Sequence, residues 1–280
     1  MYSLTVKDSP ENIEKIQPLL HQHINWGWEE KNQDTVIIHF SSENPAVNFK
    51  RLVRETIPDS SSRLQPVQSQ DWTEDWKQYF TPINIEDTFI ILPDWLEHTP
   101  SPLVKIIITP KMAFGTGHHA TTSLCLKILS SLFRKKMITR DFRFLDLGTG
   151  SGILGIAGAK LGLKGTGLDI DPAAIDNARE NIALNKVQDN FHVQTGDLHK
   201  LDKNQKFNLI FANILAPTLQ ELAKEILSRL SPDRYCLILS GILGKQASDV
   251  AETYMSLGLN APEATHEGEW CALVWNHSPG

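Results

Sequence analysis

The stretch "FRFLDLGTGSGILGIAGAK", residues Phe142–Lys160, decides how the rest of the chain is read. Its first six residues suit a buried strand. A glycine-rich turn follows, and then a run with apolar Ile153, Leu154, Ala157 and Leu161 at helical spacing. A strand, a glycine turn and a helix in that order form the first unit of a nucleotide-binding α/β fold. The rhythm continues beyond it. "KGTGLDI" reads as the next strand, and Asp171-Pro172 supplies an N-cap and a first-turn proline for a helix to about Leu184. "FHVQTGD", "FNLIFAN" and "YCLILSG" read as further strands, with helical patterns at 217–230 and 244–257. Strands alternating with helices predict a doubly wound, Rossmann-like parallel sheet. "EWCALVWN" near the C-terminus predicts an added edge strand.

The glycine turn fits two registers. Gly150, Gly152 and Gly155 satisfy G-x-G-x-x-G, with Asp169 nineteen residues beyond the first of them, which suits a dinucleotide such as NAD. Gly148, Gly150 and Gly152, preceded by Asp146, form the competing register. A pyrophosphate at a helix N-terminus favours amide donors and disfavours a nearby carboxylate. S-adenosyl-L-methionine carries a sulfonium and an ammonium and no phosphate, so Asp146 offsets its charge and the glycines admit its close approach. Asp169, ending the second strand, accepts hydrogen bonds from ribose hydroxyls in either case. Asp197, ending the third, either approaches the adenine edge or caps a turn. The Asp146 register favours adenosylmethionine. A dehydrogenase would also need a catalytic His or a Tyr-Lys pair near later strand ends, and none is evident.

"LIFANILAP", Leu209–Pro217, places one amide, Asn213, where the fourth strand leaves the core. An Asn there is either a turn or helix cap or a ligand of the carboxyl edge, where such folds bind their substrates. In the second case its oxygen accepts from the nitrogen to be methylated, and its donors reach the cofactor or a loop carbonyl.

The first 55 or so residues, with a returning strand after them, follow a different pattern. "YSLTV", a helix opened by Ser9-Pro10, the pair "WGWEEK" and "TVIIHF", a second helix in "AVNFKRLVRET", and "RLQPVQ" give the β-α-β-β-α-β order of a small ferredoxin-like domain. Pro66 confines the last strand to an edge. A Ser-, Pro- and Gln-rich stretch follows, and then "DWTEDWKQYF", with Trp72, Trp76, Tyr79 and Phe80 at helical offsets. The expected organisation is a small domain over 1–68, a linker helix and connecting segment over 69–93, and the doubly wound domain over 94–280. A net charge of −6 argues against bulk nucleic-acid binding, which needs a positive footprint. Three cysteines without C-x-x-C spacing suggest free thiols in a reducing compartment. The absence of a signal-peptide pattern or a membrane-length apolar run predicts a cytoplasmic protein.

Taken together, "MAFGTGHHATTSLCL", "LDLGTGSGILGIA", "GLDIDPAAI", "FANILAP", "LSGIL" and "EGEWCALVW" resemble the family of methyltransferases that modify large-subunit ribosomal protein L-eleven (L11). The likeness runs from about Gln70 to the C-terminus. It implies a class I methyltransferase domain after a small recognition domain, and N-methylation of lysine side chains and an N-terminal α-amine of that ribosomal protein. By position, the family's cofactor contacts fall on Thr122, Gly148, Asp169 and Asn213. Asn213 and Thr122 are the candidates for holding the reacting groups; Asp146, Gly150, Phe114 and Asp197 complete the expected site. In "FGTGHHATT" the adjacent His118 and His119 cannot share one helix face as metal ligands, so no metal is expected. The segment reads as a loop closing over the cofactor, with Thr121 or Thr122 capping the helix after it and Phe114 either shaping the pocket or anchoring the core. Two departures from the family pattern stand out: Thr109 and Lys111 before "MAFGTG", and "PDRYC" before the fifth strand. A monomer is expected. Alternatives in the sequence are methylation of another protein, a small molecule or nucleic acid, an NAD-dependent dehydrogenase, and a cofactor-binding adaptor without activity.

Overall fold

The computed structural model describes residues 2–24, 28–32, 34–40, 42–58, 60–66, 81–110 and 119–278, apart from the side chains of His21 and Gln22. The aromatic linker pattern at 72–80, Lys111, Phe114 and His118 therefore lie outside the described residues. The chain divides into two compact units, Met1–Tyr79 and Phe80–Gly280.

In the first unit the elements run β1 (Tyr2–Lys7), α1 (Pro10–His23), β2 (Glu29–Lys31), β3 (Thr35–Phe40), α2 (Glu43–Thr56) and β4 (Ser61–Pro66). The sheet order is β2-β3-β1-β4, antiparallel throughout, which is the ferredoxin-like arrangement. β4 is an edge strand, as Pro66 requires. Alternation in β1 and β3 sends Leu4, Val6, Val36, Ile38 and Phe40 inward, where they meet Ile16 and Leu20 of α1 and Phe49 and Val53 of α2. Pro10 opens α1 as predicted. Ser9 makes no side-chain cap bond; the neighbouring Asp8 carboxylate instead accepts from the Ser9 N–H and from Asn12 Nδ2.

The second unit begins with β5 (Ile83–Ile85), β6 (Phe89–Pro93) and β7 (Val104–Ile108), a small sheet of order β5-β6-β7. Residues 83–93, expected within a connecting segment, thus form two of its strands. Next come α3 (Ala120–Arg134), β8 (Arg143–Leu147), α4 (Ile153–Lys160), β9 (Lys164–Asp169), α5 (Pro172–Asn185), β10 (Phe191–Thr195), β11 (Leu209–Asn213), α6 (Ala216–Glu221), α7 (Ala223–Ser228), β12 (Tyr235–Leu243), α8 (Ala247–Ser256), β13 (Glu263–Glu267) and β14 (Trp270–His277). The seven-stranded sheet has the order β10-β9-β8-β11-β12-β14-β13. Its first five strands are parallel, and β14 runs antiparallel to both neighbours.

One sequence expectation is corrected here. β14 is not an edge strand; it lies between β12 and β13. Cys271 through Trp275 are buried in succession, which requires cover on both faces. The true edge is β13, "EATHE", whose polar composition carries no strand signal.

The chain order reverses between β8 and β11, and a crevice opens there at the carboxyl ends of the strands. The turn after β8 can be that tight because Gly148, Gly150 and Gly152 all take positive φ, at 73°, 53° and 83°. Gly155 has a different reason to be glycine. A Cβ there would sit 2.1 Å from the Phe191 ring, so its absence lets α4 lie flat on the sheet. Asp171 caps α5 by accepting from the Ala173 N–H, as the Asp-Pro signal predicts.

Candidate methyl-transfer site

A cavity of about 520 Å³ occupies the crevice, a size suited to a nucleoside-sized ligand. Gly148, Gly150, Asp169, Asp197 and Asn213, all expected from the sequence, line it. Asp169 is held from two sides: Gly150 N–H donates to Oδ2 at 2.9 Å and Asp171 N–H to Oδ1 at 3.0 Å. Beside it Ile170 is 80 % exposed, an apolar surface open to a planar ligand. Asp197 serves both of its readings, since it lines the cavity and accepts from the His199 N–H at 2.9 Å.

Asn213 is not a helix cap. Helix α6 begins three residues after it, at Ala216, with Leu215 at the N-cap and no side-chain cap bond. Its Nδ2 donates to Thr122 Oγ1 at 3.4 Å. Its Oδ1 is buried and has no hydrogen-bond partner among the described residues. A buried acceptor left open is costly unless a ligand fills it. Thr122 itself is buried and does not line the cavity; it orients Asn213 from behind. Neither Thr121 nor Thr122 caps α3. His119 does, through Nδ1, which accepts from the Thr121 N–H at 3.3 Å.

Asp146 is placed differently from the expectation. It lies under the loop, 1 % exposed, and is not a lining residue. Its Oδ2 accepts from Thr149 Oγ1 at 2.6 Å and from Gly155 N–H at 3.0 Å. Burial pushes its carboxyl up to about 6, against the lowering effect of those two bonds. The sequence shows an acid beside the glycines; only packing shows which way it faces.

The loop amides separate the two cofactor readings. Gly148 and Thr149 N–H both donate to Leu168 O at 2.9 Å, and Gly152 N–H donates to Thr149 O at 2.8 Å. Gly150 and Gly155 N–H are taken by Asp169 and Asp146. Five backbone donors of the loop are thus committed inside the protein and are not free for a pyrophosphate. A nucleoside whose ribose hydroxyls bond Asp169 needs none of them, so the residues present fit adenosylmethionine.

Sequence reasoning missed the wall beyond Asn213. His119 and Trp270 meet edge to face with ring centroids 4.8 Å apart, and both line the cavity with Leu215, which is 70 % exposed. In the sequence His119 reads only as a metal ligand to be rejected, and Trp270 only as part of a C-terminal strand and of a family motif. Among the described residues, the carboxylates lining the cavity, Asp169, Asp171 and Asp197, lie on its β9–β10 side. Of the family departures, Thr109 is anchored through its hydroxyl, which donates to Asp94 Oδ2 at 3.1 Å. Arg234 of "PDRYC" donates to Asp141 and stacks on Phe142, a local surface arrangement. No group of three or more His, Cys, Asp or Glu among the described residues could hold a metal. Nor is any described helix long and apolar enough to cross a membrane.

Sheet order, glycine turn and the Asp169 contact together define a class I, Rossmann-like methyltransferase. Comparison with known proteins narrows this further. The family model described as Ribosomal protein L11 methyltransferase (PrmA) matches residues 3–278, and the chain belongs to that family. A Ribosomal protein L11 methyltransferase of Myxococcus xanthus is 34 % identical, over 97 % of this chain and 96 % of its own. One of Exiguobacterium sibiricum is 33 % identical, over 94 % and 88 %. The crystal structure of a ribosomal protein L11 methylase from Lactobacillus delbrueckii subsp. bulgaricus superposes with a TM-score of 0.62 at 32 % identity, over 70 % of this chain and 97 % of that one.

Proposed function

We propose that the chain transfers methyl groups from S-adenosylmethionine to amines of ribosomal protein L11, on lysine side chains and the N-terminal α-amine. The observation that carries this reading is Asn213 on the cavity wall, with a buried Oδ1 that has no hydrogen-bond partner among the described residues. Bound adenosylmethionine supplies an electrophilic methyl group on a cationic sulfur. Asp169 takes the ribose hydroxyls, Asp197 faces the adenine edge, and Ile170 packs on its plane. Asn213 Oδ1 accepts an N–H of the target amine and directs the nitrogen lone pair, while Thr122 fixes the amide from the other side.

The amine must arrive neutral, although free lysine titrates near 10.4. The wall of His119, Trp270 and Leu215 has no lining carboxylate among the described residues. An apolar approach without a counter-charge lowers an amine's pKa. The proton leaves to water, and no side chain is required as a dedicated base. Positioning then supplies much of the rate. Residues 1–68 serve as the recognition domain for the ribosomal protein, and the enzyme works as a monomer in the cytoplasm. Incubating the purified chain with labelled adenosylmethionine and isolated L11, then mapping the label by mass spectrometry, tests the reading. Label on lysines and the N-terminus is expected. Unlabelled L11 beside a labelled RNA or small-molecule fraction would overturn it.

A further inference from the structure

Helix α5 carries Asn177, Asn181 and Asn185 at four-residue spacing, and all three are buried. They line up beside the end of β7 and Thr109 just after it, and supply backbone partners as a neighbouring strand would. Asn185 accepts from Ile107 N–H at 2.9 Å through Oδ1, and its Nδ2 donates to Asn181 O at 2.8 Å and to Ile107 O at 2.6 Å. Asn177 Nδ2 donates to Thr109 O at 3.4 Å. Asn181 differs from both. Its Oδ1 accepts from Thr109 N–H at 2.9 Å, and its Nδ2 donates to Ser151 O, in the glycine turn, at 2.8 Å.

We propose that Asn181 is a positioning residue for methyl-donor binding, a single amide that sets the glycine turn against the end of β7. Ser151 sits between Gly150 and Gly152, whose positive φ angles define the turn, and Gly150 lines the cavity. The turn's committed N–H groups hold it from the β9 side, and Asn181 holds its carbonyl from the helix side. Thr109, at the amide's other end, leads in sequence to the segment that carries Phe114. A side chain doing this must donate and accept at once at fixed reach with no exposed surface, which an asparagine satisfies. Asn185, one turn further along the same helix, is equally buried and bonds to no residue of the turn, so it is the internal control.

This inference rests on the adenosylmethionine reading, and the experiment separates the two. S-adenosylhomocysteine affinity by calorimetry, KM values and thermal melts are measured on the full chain and on Asn181→Ala, Asn181→Asp and Asn185→Ala. Asn181→Asp keeps an acceptor for Thr109 and loses the donor to Ser151. Both Asn181 variants are expected to bind S-adenosylhomocysteine about tenfold more weakly and to raise the KM for the methyl donor alike. Their KM for the protein substrate should stay within about twofold. Asn185→Ala should melt lower, as Asn181→Ala does, with affinity within about twofold of the unaltered chain. Equal affinity losses at 181 and 185, or none at 181, would overturn the proposal. Failure of both Asn181 variants to fold would overturn it too, because the amide would then be purely structural. If the unaltered chain binds no S-adenosylhomocysteine, the proposed function itself falls and this inference falls with it.

Discussion

Replacing Asp146 by Asn tests how the glycine loop is held. Both loop donors, Thr149 Oγ1 and Gly155 N–H, reach the same carboxylate oxygen, Oδ2. An asparagine with its oxygen in that place keeps both bonds and removes only the titration. Burial raises the folded carboxyl from 3.8 to about 6, so the native fold holds the proton more tightly than the unfolded chain does. The stability linked to that proton is present below about pH 4 and is lost as pH rises through about 6. A shift of roughly two units corresponds to about 3 kcal/mol. About 2 kcal/mol of it falls between pH 4.5 and 7.5 by the same linkage. Urea unfolding of the wild type and Asp146→Asn across that range should show the variant gaining about 2 kcal/mol relative to the wild type as pH increases. Because the carboxylate faces the loop and not the cavity, S-adenosylhomocysteine affinity at pH 7.5 should change by only a few-fold. A stability difference that is flat with pH would refute the buried-acid reasoning. A loss of affinity of a hundredfold would return Asp146 to offsetting the cofactor's charge.

Asn213→Asp should melt near the wild-type temperature and lose roughly a hundredfold in single-turnover rate, since a carboxylate favours the protonated, unreactive amine; near-normal turnover would remove Asn213 from the chemistry. Gly155→Ala drives a methyl into the Phe191 ring and should cost about 1–3 kcal/mol, read as a lower melting temperature that Phe191→Leu partly restores. An unchanged melt would mean that α4 has room to move off the sheet. A chain beginning at Phe80 retains every residue lining the cavity and should bind S-adenosylhomocysteine while losing most methylation of L11; equal activity on L11 would refute recognition by the first unit.

Much of the architecture was legible because it rests on local rules. The strand–glycine–helix unit at 142–160, the Asp171-Pro172 cap and the alternation in β1 and β3 are set by backbone conformation and side-chain period, which neighbouring residues determine. The positions of Gly148, Gly150, Asp169, Asp197 and Asn213 were also legible, because the ends of parallel strands converge on one edge of the sheet. Tertiary structure decided what depends on partners distant in the chain. It turned Asp146 inward to the loop and made His119, not Thr121 or Thr122, the cap of α3. It set β14 inside the sheet behind a polar edge strand, and it brought Trp270 against His119. The same holds for α5, where the asparagines are polar in sequence yet buried, because the backbone of Ile107 and Thr109 beside them needs hydrogen-bond partners that only the folded chain brings within reach.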